Sequence, residues 1–120
     1  MSKCILVVED QKDNRQILRD LLTNAGFEMI EAENGEDAVA SAQARRPDLI
    51  LMDIQLPILD GYEATRRIKA DPDLKSIPII VVTSYALSGD EDKARLEGCD
   101  DYVAKPFSPR QLLAKIKEHV

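Results

Sequence analysis

The chain has 120 residues, 44% of them hydrophobic and 32% charged, and a net charge of -6 at neutral pH. That is enough chain for one compact domain, 1–120, with no disulfide or structural metal needed for folding, and its composition excludes disordered and fibrous classes. No Lys/Arg run is longer than the pairs Arg45-Arg46 and Arg66-Arg67, so the acidic balance speaks against nucleic acid or an anionic membrane as a direct partner and suits a pocket that holds a divalent cation.

The chain runs almost at once into an apolar stretch, Cys4 to Val8, too short for a signal peptide or a membrane span, which points to the cytoplasm. Ile5 to Val8 reads as a buried strand. A helical stripe follows, made by Ile17, Leu18, Leu21, Leu22 and Ala25 and closed by Gly26. Phe27 to Ala32 carries Glu28 and Glu31 and reads as an edge strand. Ala38, Val39 and Ala42 mark a second helix that ends before Pro47, and Leu49 to Met52 a third strand.

Asp60-Gly61-Tyr62-Glu63 has the form of a capping box and announces a third helix. Ile79 to Val82 reads as the fourth strand, and Ser88-Gly89-Asp90-Glu91 as the start of a fourth helix. Tyr102 to Ala104 is the fifth strand. Ser108-Pro109 opens a fifth helix carrying Leu112, Leu113 and Ile116 on one face. Cys4 and Cys99 are isolated and His119 is the sole histidine, so these residues do not suggest a zinc site.

Strict alternation of strand and helix implies right-handed crossovers and a doubly wound, five-stranded parallel sheet with helices on both faces; the fold class expected is flavodoxin-like α/β, order 2-1-3-4-5. Ligands of such sheets bind at the carboxyl ends of the strands. The residues there are Glu9 and Asp10, then Asp53, then Thr83 and Ser84, then Lys105. Each has an ordinary explanation alone, as loop acid, helix-dipole partner, turn residue or surface charge. Three carboxylates at one sheet edge repel unless a cation intervenes, and a hard, oxygen-liganded ion such as Mg²⁺ is the natural partner.

Five motifs in order, Val8-Glu9-Asp10, Leu51-Met52-Asp53-Ile54-Gln55-Leu56-Pro57, Asp60-Gly61, Val82-Thr83-Ser84 and Tyr102-Val103-Ala104-Lys105-Pro106-Phe107, closely resemble the receiver domains of bacterial two-component response regulators over the whole chain. Among subtypes the chain looks most like single-domain regulators of the DivK type and the receivers of hybrid kinases. The resemblance implies that Asp53 is the phosphoacceptor. It implies Mg²⁺, with Mn²⁺ as a substitute, held by Asp10 and Asp53, by Glu9 through water and by the backbone carbonyl of Gln55. It further implies that Lys105, before a cis Pro106, contacts the phosphoryl group, and that Thr83 and Tyr102 form the switch. Gln55 and Tyr85 tune dephosphorylation, with the Tyr85 ring favouring a long-lived phosphoryl group.

The implied partners are a histidine kinase or histidine phosphotransfer protein, met by the first helix through Arg15, Leu18, Arg19 and Leu22. A downstream protein would meet the surface of the fourth helix, fifth strand and fifth helix. Three rivals stand beside this reading. A flavodoxin-like electron carrier needs a hydroxyl- and glycine-rich loop where this chain has Glu9-Asp10-Gln11-Lys12-Asp13-Asn14. An aspartate-nucleophile phosphatase carries an acid where this chain has Gln55. A docking module that never takes phosphate is separated only by experiment.

Overall fold

The computed structural model describes residues 2–83, 95, 98–105 and 107–120. Five parallel strands, β1 (Cys4–Val8), β2 (Glu28–Ala32), β3 (Leu49–Asp53), β4 (Ile79–Thr83) and β5 (Asp101–Ala104), form one sheet in the order β2-β1-β3-β4-β5. Among the described residues run the helices α1 (Lys12–Asn24), α2 (Gly35–Arg45), α3 (Gly61–Ala70) and the C-terminal α4 (Pro109–His119), which is the fifth helix of the sequence reading. The helix start expected at Ser88 lies outside the described residues, as do Ser84, Tyr85, Pro106 and the side chain of Thr83. No helix among the described residues is long and apolar enough to cross a membrane.

The near-continuous apolar strands follow from burial on both faces. Leu6, Val8, Ile50, Met52, Ile79 and Val81 point to one side and pack with Ala38 and Ala42 of α2 and Ala64 and Ile68 of α3. Ile5, Val7, Leu49, Leu51, Ile80 and Val82 point to the other and pack with Leu22 of α1 and Leu112 and Ile116 of α4. Alternate residues of each strand therefore serve opposite cores. The central strand β3 is buried throughout, and it ends at Asp53.

Local chemistry starts and stops the helices. The Asp60 carboxylate accepts the Glu63 N–H at 2.8 Å, and the Ser108 hydroxyl accepts the Gln111 N–H at 3.0 Å. The Glu63 carboxylate pairs with Arg66 and Arg67 on its own helix. Asn34 caps α2 by accepting the Asp37 N–H at 2.7 Å, a signal the sequence reading passed over. Gly26, at φ 89°, ends α1 as expected. Within α1 the expected stripe needs one correction: Ile17 is 64% exposed, so the helix turns a narrower apolar strip to the core. Leu22 is fully buried, as the stripe requires, and this corrects its expected place on the partner-facing surface.

Two ionic clasps tie the last strand to the rest. Lys69 Nζ donates to the carbonyls of Lys75 (3.0 Å) and Ile77 (2.8 Å) and to Asp100 Oδ2 (2.7 Å), while that same oxygen accepts the Ile79 N–H at 2.8 Å. Asp101 accepts from Lys115 at 3.0 Å, lies 3.1 Å from His119 Nε2 and accepts the Tyr102 N–H at 2.8 Å. Burial alone would raise the Asp101 carboxyl, but these partners outweigh it and lower it. Lys69→Met keeps the stem and deletes the ammonium, stranding its acceptors. Urea unfolding is expected to show a loss of about 2 kcal/mol, within the range for charged hydrogen bonds; a loss indistinguishable from zero would mean water replaces the ammonium freely.

Candidate phosphoryl and metal site

At the carboxyl end of the sheet, β1 delivers Glu9 and Asp10, β3 delivers Asp53, and the segment after β5 delivers Lys105. Carboxylate oxygens of Glu9, Asp10 and Asp53 all lie within 4.8 Å of one another. Glu9 and Asp53 are only 3% and 7% exposed, which is unusual for acids and demands partners. Lys105 Nζ supplies one, donating to Glu9 Oε2 at 3.1 Å and to Asp53 Oδ2 at 3.0 Å.

The remaining acceptors of these acids are also engaged. Glu9 Oε1 accepts the Gln11 N–H at 3.1 Å and the Asn14 amide at 3.4 Å. Asp53 Oδ1 accepts the Gln55 N–H at 3.2 Å, so Gln55 meets the site through its main chain. Burial, followed by the neighbouring Asp53 carboxylate, holds the Glu9 carboxyl above its ordinary range, against the opposing pull of Lys105 and the Gln11 N–H. For Lys105 burial acts downward, but Asp53 and Glu9 outweigh it and the ammonium is raised. One ammonium thus faces three carboxylates. An all-oxygen donor set left with excess negative charge fits a hard divalent cation.

The loop from β3 to α3 is threaded between two glycines. A Cβ on Gly61 would meet the Asp53 carbonyl oxygen at 2.1 Å, and one on Gly35 the Leu59 carbonyl oxygen at 2.0 Å. At its tip Ile58 is 76% exposed and held at φ 69°, a left-handed conformation that branched residues seldom adopt. Beside the acids a cavity of about 450 Å³ opens between α1 and the sheet, lined by Ile17, Leu18, Leu51, Val82 and Phe107 among others.

A profile of the response regulator receiver domain family matches residues 5–117. The chain is a receiver domain of that family. It is 43% identical over 120 residues to the polar-differentiation response regulator DivK of Brucella anthropi and 42% identical to that of Brucella ovis, covering 98% of each. Among solved structures, it is similar to the receiver domain of the sensor histidine kinase PA1611 from Pseudomonas aeruginosa (39% identity, TM-score 0.92, 99% and 98% of the two chains), which was crystallised with a magnesium ion coordinated in its active site cleft. Chemotaxis protein CheY4 of Vibrio cholerae superposes with a TM-score of 0.93 at 28% identity over the full length of both chains. The strand order expected from the sequence is the one observed. As a receiver domain the protein is a two-component signalling module rather than an enzyme acting on external substrates.

The receiver fold brings Glu9, Asp10, Asp53, Lys105 and the Gln55 main chain together. Thr83 closes β4 in register with Ala104, which sets its backbone at the same sheet edge. Tyr102 is half-buried and packs against the core cluster of the α2 and α3 side. Tyr85 and the Lys105-Pro106 bond fall outside the described residues. A second group, Asp101, Glu118 and His119, also places its ligand atoms within 4.8 Å, but there Asp101 is already held by Lys115 and sits beside His119. Sequence reasoning missed Asn14 as a site residue and placed Arg15 on the partner-facing surface, whereas both meet Glu9 from one turn of α1; their spacing of five and six residues from Glu9 was the available signal.

Proposed function

We propose that this receiver domain is a phosphorylation switch that takes a phosphoryl group from a phosphohistidine of a sensor kinase or phosphotransfer protein onto Asp53. The observation that supports this best is the closeness of the Glu9, Asp10 and Asp53 carboxylates with Lys105 bonded to Asp53. An Asp53 oxygen attacks phosphorus, the P–N bond to the donor imidazole breaks, and the imidazole leaves with its electron pair. Bound Mg²⁺, with Mn²⁺ able to substitute, would neutralise charge on the phosphoryl oxygens and relieve the carboxylate repulsion. Asp10, Asp53 and the Gln55 carbonyl would hold it, with Glu9 acting through water. Lys105 contributes a second positive charge at the same oxygens.

In this reading the Thr83 hydroxyl engages the phosphoryl group once it has formed and Tyr102 turns inward, altering the surface that carries β5 and α4. Gln55 and Tyr85 set how fast water removes the group. A differential contact of about 1 to 3 kcal/mol is enough to shift partner affinity severalfold to a hundredfold. The phosphodonor meets the acidic end of the molecule, where Ile17 and Ile58 are, among the described residues, the large hydrophobic side chains left exposed. Leu18 lines the adjoining cavity, while Arg15 and Arg19 are committed to ion pairs with Glu31 and Glu33.

The test is intact mass after incubation with acetyl phosphate, with and without Mg²⁺. The native protein is expected to gain one phosphoryl mass only with the cation, and Asp53→Asn to gain none. No gain from any donor, a phosphorylated histidine protein included, would leave a docking module with a receiver fold.

A further inference from the structure

Arg15 belongs, in the sequence reading, to a partner-facing helix surface, yet its side chain is only 11% exposed. The guanidinium is spread over two hydrogen-bond acceptors and one further carboxylate. Nη1 donates to the main-chain carbonyl of Glu9 at 2.8 Å, Nη2 to Glu33 Oε1 at 3.2 Å, and Nε lies 3.8 Å from Glu31 Oε1. Glu31 is paired in addition with Arg19 at 3.0 Å, so the anchor on β2 is itself held.

Glu9 is the point at which β1 stops being a strand. Its N–H still continues the β1–β2 ladder by donating to the Ala32 carbonyl at 3.1 Å, and its own carbonyl is taken by Arg15. The peptide unit is planar, so the Glu9 carbonyl and the Asp10 N–H belong to one rigid plate. Fixing that carbonyl therefore fixes the direction in which Asp10 leaves the strand. Asp10 is exposed, unlike Glu9 and Asp53, and depends more than they do on its main chain for placement.

We infer that Arg15 is a positioning residue for the acidic pocket. It braces the Glu9–Asp10 peptide plane against Glu31 of β2 and Glu33 in the turn that follows it, and so sets the approach of the Asp10 carboxylate to those of Glu9 and Asp53. This rests on the pocket being a divalent-cation site. Charge and geometry act with opposite signs here. Removing a guanidinium bonded to the Glu9 carbonyl makes the surroundings of the pocket more negative, which by charge alone tightens cation binding. Loosening the peptide plane weakens it.

Mg²⁺ titrations followed by amide chemical shifts separate the two, on native protein, Arg15→Met and Arg15→Lys, with urea unfolding of each. Arg15→Met is expected to bind Mg²⁺ about tenfold more weakly, the lower end of what outer-shell partners contribute. Arg15→Lys keeps the charge but not the three-way fork, and is expected to fall between. Binding by Arg15→Met equal to or tighter than native overturns the inference, whatever its stability. Should that variant fail to fold, Arg15→Lys decides, because a loss at constant charge is geometric and no loss refutes bracing. Native protein that takes up no Mg²⁺ overturns the cation-site reading and this inference together, whereas native binding with unchanged variants overturns this inference alone.

Discussion

Replacing Gly61 by alanine is expected to destabilise the domain by at least about 3 kcal/mol, the upper end of overpacking costs. Gly61 is the first residue of α3, and its N–H donates to the Ile54 carbonyl at 3.0 Å, which presses the helix start onto the end of β3. The new Cβ would stand 2.1 Å from the Asp53 carbonyl oxygen and 2.8 Å from the Ile54 Cα, both backbone atoms. No rotamer change relieves such a contact. The strand cannot give way, since β3 lies between β1 and β4 and is buried along its length. The helix must move, and the loop carrying Gln55 moves with it. Gly26→Ala is the matching control, at φ 89° with nothing within 4 Å of its Cβ. It incurs only the left-handed backbone penalty of about 1 to 2 kcal/mol. Urea unfolding of both variants checks the contrast, and a Gly61→Ala cost no larger than that of Gly26→Ala would refute the steric account.

Lys105→Met is expected to cost about 2 kcal/mol at pH 7 without divalent cation, less than a fully buried broken pair because the ammonium is partly solvated. Its side chain is 26% exposed while those of Glu9 and Asp53 are 4% and 9%. The pH dependence has a definite sign. Glu9 is raised above 4.5, so the folded state binds its proton more tightly than the unfolded chain, and this contribution is lost as pH rises from that value through the folded one. Lys105 is raised above 10.5, so its contribution is fully present at neutral pH and is lost only as pH climbs through its folded value. Without the ammonium Glu9 is raised further and stability falls more steeply through the mildly acidic range. The deficit of Lys105→Met should therefore be larger at pH 7 than at pH 5, and Mg²⁺ should shrink it by supplying a counter-charge to the proposed site. An equal deficit at both pH values would show that Glu9 does not depend on Lys105.

Strands and helices were legible because burial imposes a period. A strand covered on both faces must be apolar throughout, and Ile5 to Val8 or Ile79 to Val82 can hardly be anything else. The site was legible for a related reason, since acids directly after such strands cannot avoid the carboxyl edge of the sheet. The α1 stripe was read too broadly. Ile17 has helical spacing with Leu21, but spacing does not say where a neighbouring element stops, and Ile17 borders a cavity that leaves it exposed. Arg15 and Arg19 read from the sequence as partner-facing because Glu31 and Glu33, which pair with them, lie outside α1.

By itself the sequence determined the succession of the described strands and helices and which acids share an edge, because these follow from chain connectivity and from side-chain polarity at local spacing; right-handed crossovers allow more than one strand order, and the order 2-1-3-4-5 went with the flavodoxin-like class. Only the tertiary structure decided that Lys105 bridges Glu9 and Asp53, that Gly35 and Gly61 make room for the β3–α3 loop, and that Arg15 reaches back to the Glu9 carbonyl. Each of these is a contact of a few ångströms between residues on different elements. Such distances depend on helix placement over the sheet and on rotamers chosen by packing, which residue order alone does not encode locally.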